Sequence, residues 1–554
     1  MQADKHIHSG VIIDGTGQPG YRGDVFIKDD RIVAIYPAEH EKVREYKAVE
    51  SIDATGMVVT PGFIDIHTHS DLTLLLDSRG ASKVSQGVTT EVVGNCGLSV
   101  VDCCGTYKDE IKASSSFLYS HLIDWHWNNY AEYLAEFTNK GISINVGCFI
   151  GHGTVRAQVM GYENRKPSET ELQRMREVVA EAMQQGALGL SSGLIYNPGV
   201  FSERDEIVEL AKVAAEYGGI YTTHMRNESD YLLDSIDEAL YVAREANIPL
   251  QISHLKSTGT RNWGKIKQAI DKIKQARAEG TDVHFDFYPY EASSTNMRYL
   301  LPPWVQEGGW ELSKAKIQDL ELREQMMMEI DQGTSNWLSP ARNAGWDRVM
   351  IASVKYEKNR FAEGMNVEQY ALEIGKKPVE AMLDLLVEED GAIGMVLFVM
   401  SEDDIELAAA CELAIIASDG LALAKDGVLS QSKPHPRSYG TFPRALNKYW
   451  RERAVFSLET AIHKMTALPA QKLKLDKRGV VQTGYYADIV IFHPELIKDM
   501  ATFTDPHQYS KGIEAVLVNG KTAYRAGQFL NPKNGMIVKT NSIVERRSVI
   551  CWRD

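Results

Sequence analysis

The sequence predicts an α/β fold: a (β/α)8 TIM-like barrel carrying a small β-sandwich domain assembled from both chain ends. Three observations support this. The middle of the chain alternates strands and helices at the length of repeated βα units, which implies a parallel sheet with right-handed crossovers. Both ends instead read as short strands punctuated by Gly, Asp and Asn. The chain of 554 residues also exceeds the ~250–300 residues at which single cores stop growing.

At the N-terminal end, Ile12-Ile13 is followed by the turn Asp14-Gly15-Thr16-Gly17, then Val25-Phe26-Ile27 by Asp29-Asp30, then Ile32–Ile35. At the other end, Ala487–Phe492 is a strand and Val516–Ala523 is a hairpin around the Asn519-Gly520 turn. The expected division is a first β part over 1–60, a barrel over 61–478 and a second β part over 479–554.

Within the barrel, Ser168 and Glu171 form a capping box that opens a helix with Leu172, Met175 and Val179 on one face. It stops near Gly186, and Leu188–Ser191 is the next strand. Ser202 and Asp205 are expected to open a helix that ends at Gly218-Gly219, before strand Ile220–Thr223. A helix through Leu232, Ile236, Ala239 and Ala243 leads to strand Pro249–Ser253, and one from Gly264 to Gly280 leads to Val283–Phe287. No GxGxxG follows an early strand, which disfavours a dinucleotide-binding sheet. The strand count overshoots eight, because Val349–Ala352 and Met395–Phe398 also qualify. An insertion after Tyr290 would absorb one or both. The stretch 297–360 is the expected lid, since long insertions on a functional face often cover it.

Composition narrows the class. The hydrophobic fraction of 44% and charged fraction of 24% are those of a folded globular protein. A net charge of −15 without a basic stripe argues against a nucleic-acid partner. The opening Met1–His8 has no apolar signal-peptide core, and no apolar run approaches the ~20 residues that span a bilayer. Six cysteines in so long a chain make no disulfide framework, so the chain reads as a reduced, cytoplasmic protein.

The chemistry lies at the strand ends. Strand Phe63–Ile66 runs into His67-Thr68-His69, whose imidazoles, two residues apart, share a face. Thr90–Val93 leads to Cys96, and Ile220–Thr223 ends at His224. The strand from Pro249 ends at His254, and Ala414–Ser418 ends at Asp419. Six residues able to bind zinc thus sit at the C-terminal ends of five candidate strands, the face on which barrel active sites are built. Each histidine alone, or Cys96 alone, reads more simply as core or surface filler. Five strand ends with one shared property do not. Residue chemistry leaves the six undivided between one metal site and two.

Val59–His69 resembles the opening motif of the amidohydrolase superfamily. More narrowly, Gly94–Gly97, Gly193–Tyr196, His224–Glu228, Ile252–Lys256, Tyr288–Tyr290, Ser418–Gly420 and His435–Arg444 resemble N-acyl-D-amino-acid deacylases, also called D-aminoacylases. The resemblance implies a tight zinc held by Cys96, His224 and His254. It implies a second, weaker site at His67 and His69, and Asp419 as catalytic base. It also implies that Tyr196, Lys256, Tyr288, Ser294 and Arg437 contact a small N-acyl amino acid, with Arg437 gripping the substrate carboxylate. Without that resemblance, Lys256 and Arg437 read as a solvated surface ion pair, and Tyr196 and Tyr288 as packing at the barrel mouth. Leu301 falls where relatives acting on acidic amino acids place an arginine, which favours apolar side chains. Gly151–Arg156 is given a structural role, its glycines allowing close backbone approach. The loop from Leu421 to His435 is longer than the family pattern. Rival readings are hydrolysis of a cyclic amide or a D-amino-acid dipeptide, a deaminase, and a catalytically silent scaffold.

Overall fold

The computed structural model describes residues 1–100, 107–115, 119, 122–334 and 337–539. Phe63–Asp65 pairs in parallel with Val88–Val93, which pairs in parallel with Asn145–Cys148. One residue later, Ile150–Gly151 begins a parallel run through Gly189–Gly193, Ile220–His224, Leu250–Ile252, Val283–Phe287 and Ala414–Ile416. A parallel bridge between Thr68 and Gly420 ties the first strand's exit to the last strand's exit. The result is an α/β, TIM-barrel-like domain, with the strands following one another in chain order.

The crossover helices form where local signals place them. Glu169–Gln185 starts with the reciprocal Ser168–Glu171 capping box and stops at Gly186, whose φ of 116° suits glycine. Its Met175, Val178, Val179, Ala182 and Met183 are buried, one apolar stripe against the sheet. Helix Arg204–Glu216 corrects one expectation. Its N-cap is Glu203, with no side-chain cap bond; Ser202 lies one residue before that position, and its hydroxyl donates to Gly199 O at 2.6 Å. The segment of strands Asn145–Cys148 and Ile150–Gly151 had no strand expectation attached to it. It is fully buried, and its Asn, Gly and Cys residues break the apolar alternation that marks a half-buried strand.

The two chain ends meet in one nine-stranded sheet. Val58–Pro61 pairs antiparallel with Ile489–Phe492, so that Val59 faces Ile491 across a 432-residue separation in sequence. Ile7, Val25, Ile27, Ile52, Ile489 and Ile491 share one apolar cluster, which is what holds the two ends together. The expected hairpin is present, with Asn519 and Gly520 both at positive φ (46° and 77°), the conformation a two-residue turn requires.

The surplus strands belong to neither sheet. Ser293–Asn296, Gly394–Leu397 and Val349–Ser353 form a separate three-stranded antiparallel sheet, with Gly394–Leu397 in the middle. With helices Trp310–Gln318, Leu320–Gln332 and Pro378–Glu388 it makes an insertion between the last two parallel strands. Fully buried Glu389 pins this insertion by accepting from the backbone N of Lys355 and Tyr356 and from Asn359. No helix among the described residues is long and apolar enough to cross a membrane.

Candidate metal centre

The parallel strands deliver His67, His69, Cys96, His224, His254 and Asp419 to one place, each at or just beyond a C-terminal strand end. Backbone bonds set the rim: Asp419 N donates to His67 O at 2.8 Å, and His69 N donates to Gly420 O at 2.9 Å. Three of these residues adopt left-handed backbone: Cys96 at φ 55°, His254 at 36° and Asp419 at 49°. Such conformations cost about 1–3 kcal/mol each in residues with a Cβ and persist only where surroundings impose them. Packing imposes the first. A Cβ on Gly94 would lie 2.3 Å from Phe149 O, and one on Gly151 would lie 2.5 Å from Gly97 O. The turn carrying Cys96 is therefore pressed against Phe149 and Gly151, the close backbone approach expected at Gly151.

The donor atoms converge in two groups that share Cys96: His67, His69, Cys96 and Asp419, and Cys96, His224 and His254. Cys96 Sγ lies 3.3 Å from His67 Nε2 and 3.5 Å from His254 Nε2. Asp419 Oδ1 lies 3.4 Å from His67 Nε2 and 3.1 Å from His69 Nε2. Both ring nitrogens of His224 and Nδ1 of His69 are buried without a hydrogen-bond partner among the described residues. Buried polar atoms are nearly always satisfied. A thiolate, imidazole nitrogens and a carboxylate oxygen facing one another, some of them orphaned, fit a zinc-type cation.

The electrostatics agree with that set. Burial opposes the Cys96 thiolate, but His67, His254 and His224 outweigh it and hold the thiol well below its ordinary pKa. Burial likewise opposes charge on His69, while Asp419 and Cys96 raise it to about 9. Against burial, Arg437 and the histidines hold Asp419 well below the usual carboxylate range. Burial pushes His224 down, towards the neutral form a ligand needs.

A cleft of about 1430 Å³, counting its open mouth, lies over these atoms. Tyr196, Lys256, Tyr288, Ser294 and Arg437 all line it. Lys256 and Arg437 are each only 5% exposed, which overturns the surface ion pair, and each has its own acid. Lys256 Nζ donates to Glu228 Oε1 at 2.6 Å and to His254 O at 2.9 Å. Arg437 donates to Asp419 Oδ2 at 2.7 Å and to Ser294 O at 3.2 Å, with its guanidinium 4.8 Å from the Tyr288 ring centre. The lengthened loop after Gly420 thus still delivers Arg437 to the site. His435 helps to seat it: Nε2–H donates to Ala292 O at 2.8 Å, leaving Nδ1 to accept from Arg437 N at 3.0 Å. Tyr196 accepts from Thr295 Oγ1 at 3.1 Å, and Tyr288 donates to Met400 Sδ at 3.6 Å.

Two acids at the site carried no expectation. Glu228 Oε1 lies 3.0 Å from His254 Nδ1 as well as bonding Lys256, and Lys256 and the two histidines outweigh burial to lower its pKa to about 2. Asp286 Oδ1 lies 3.0 Å from His67 Nδ1. A sequence signal for Asp286 exists: period two along Val283–Phe287 puts it on the same face as Tyr288.

Comparison with known proteins identifies the family. The amidohydrolase family profile matches residues 50–524. The D-aminoacylase of Alcaligenes xylosoxydans xylosoxydans is 32% identical over 539 residues, covering 97% of each chain. A D-aminoacylase structure described by its binuclear metal center superposes with a TM-score of 0.80 at 32% identity, covering 97% of this chain and 100% of that one. An N-acyl-D-glutamate deacylase from Bordetella bronchiseptica, complexed with zinc and a phosphonate mimic of the tetrahedral intermediate, also scores 0.80. It is 30% identical, with 98% and 100% of the two chains covered. With this coverage and identity, the chain belongs to the amidohydrolase family.

Proposed function

We propose that the protein hydrolyses N-acyl-D-amino acids to a carboxylate and a free D-amino acid, using zinc. The observation that carries this reading is Cys96 shared between two ligand groups, with the Asp419–Arg437 pair beside them. The tight site is assigned to Cys96, His224 and His254, and a second, weaker one to His67 and His69 with Asp419. Bound zinc supplies Lewis acidity, which polarises an amide carbonyl and acidifies water. Asp419 takes a proton from the attacking water and delivers it to the departing amide nitrogen as the C–N bond breaks. Arg437 holds the substrate carboxylate, Ser294 and Lys256 border it, and Tyr196 and Tyr288 pack against the bound molecule.

Apolar side chains are the preferred substrates. Leu301, at the place that the resemblance gives to an arginine in relatives acting on acidic amino acids, is buried. Arg298, three residues earlier, spends its guanidinium on Gly391 O and Asp390 O and against the Trp310 ring. The parallel strands support a closed (β/α)8 barrel over 61–478, and the terminal sheet a β-sandwich domain from 1–60 and the described part of 479–554, of which 540–554 lie outside the described residues. The insertion supports a lid that includes 297–360. Cys96, Cys148 and Cys411, free and buried, accord with a reducing, cytoplasmic setting.

The test is amine release from N-acetyl-D-methionine and N-acetyl-L-methionine, each with and without a zinc chelator. Chelator-sensitive release from the D form alone is the expected result. Release from neither form would sink the reading of a deacylase for apolar side chains, in favour of a cyclic amide or acidic side chains.

A further inference from the structure

Asp286 sits at the C-terminal end of strand Val283–Phe287 and is 1% exposed. An ionised carboxylate only accepts hydrogen bonds, and each contact of Asp286 is with a donor nitrogen. Oδ1 lies 3.0 Å from His67 Nδ1 and accepts from the backbone N of His254 at 2.7 Å. Oδ2 accepts from Gln251 Nε2 at 2.9 Å. His67 and His254 belong to different ligand groups, which otherwise share only Cys96.

Each contact has a consequence for ligation. Accepting from Nδ1–H fixes the tautomer of His67, which leaves the Nε2 lone pair directed at Cys96 and Asp419. A carboxylate in that position also raises the basicity of the ring as a metal ligand. The bond to His254 N restrains a residue whose φ of 36° is unfavourable for a side chain with a Cβ. One oxygen atom therefore sets the ring of one ligand and the backbone of another.

We infer that Asp286 is a positioning residue that couples the two ligand groups, so that zinc affinity at both depends on its charge. The inference rests on the zinc reading above. It differs from a purely structural role, in which the side chain would pin two strands and ligand affinity would follow fold stability alone.

The test compares Asp286→Asn and Asp286→Ala with the wild-type protein. Zinc binding is measured in buffers of defined free zinc, and melting temperature is measured for the zinc-free forms. Asparagine preserves the shape and can still accept from His254 N. Gln251 Oε1, without a partner among the described residues, can accept from the new amide once Gln251 turns over. The zinc-free Asp286→Asn protein is therefore expected to melt with the wild type. Its zinc affinity is expected to fall about 10- to 100-fold at both binding steps. Asp286→Ala is expected to lose both affinity and melting temperature. Unchanged affinity in Asp286→Asn, or a loss confined to one step, overturns the inference. A wild-type protein that binds no zinc instead overturns the reading on which it rests, so the two failures are distinct.

Discussion

Arg437 Nη1 donates to Asp419 Oδ2 across 2.7 Å. The side chain assigned to the substrate carboxylate thus touches the side chain assigned to the moving proton, and binding and chemistry meet at one bond. Both partners are buried, so the pair is not a screened surface contact, and removing either leaves the other exposed to an uncompensated desolvation cost.

Asp419→Ala should keep zinc at Cys96, His224 and His254 while losing about 10²–10⁴-fold in kcat, the usual worth of a general acid–base. Turnover and metal content, measured on the same preparation, check this. Near-normal kcat would remove Asp419 as the base.

Arg437→Met should raise KM for N-acyl-D-amino acids by about 1.5–3 kcal/mol, or about ten- to hundredfold, the worth of a charged hydrogen bond. Arg437→Lys should restore little of this, because an ammonium cannot reproduce the planar, two-toothed grip. An unchanged KM in the methionine variant would place the carboxylate elsewhere in the cleft.

Cys96→Ala should weaken zinc at both ligand groups together, because its sulfur is their common member. His224→Ala should weaken only the group that contains it. Metal titration of the two variants separates the cases, and a Cys96→Ala protein with one undisturbed zinc site would contradict the shared-ligand geometry.

His284 provides a pH prediction away from the metal. Burial, with Lys472 and Arg277 nearby, lowers its pKa to about 3, against about 6.5 in an unfolded chain. Between those values the unfolded chain binds more protons than the folded one. Stability should therefore be lost as pH falls from about 6.5 towards about 3. His284→Gln should flatten the fall in melting temperature between pH 6.5 and 4.5. A slope identical to that of the wild type would assign the acid sensitivity to other groups.

The amino-acid sequence by itself determined the features that repeat locally. Period-two strands, capped amphipathic helices and the Asn519-Gly520 turn are written in side chains within a few residues of one another. Metal-capable residues placed just after strands inherit the geometry of the strand end. His67, His69, Cys96, His224, His254 and Asp419 were therefore legible before any contact was known.

Only the tertiary structure decided which distant groups touch. The hydroxyl of Ser202 bonds a carbonyl of the preceding turn, and two apolar strands pair within an insertion, where Ser293–Asn296 adds alongside Gly394–Leu397. Lys256 and Arg437 prove buried and paired because the insertion and the strand ends enclose them. Glu228 and Asp286 are ordinary acids in the chain, and become supports for His254 and His67 only when strand ends distant in sequence converge at one rim. Hydrogen bonds and ion pairs act over about 3 Å, and a sequence specifies distances that short only between near neighbours.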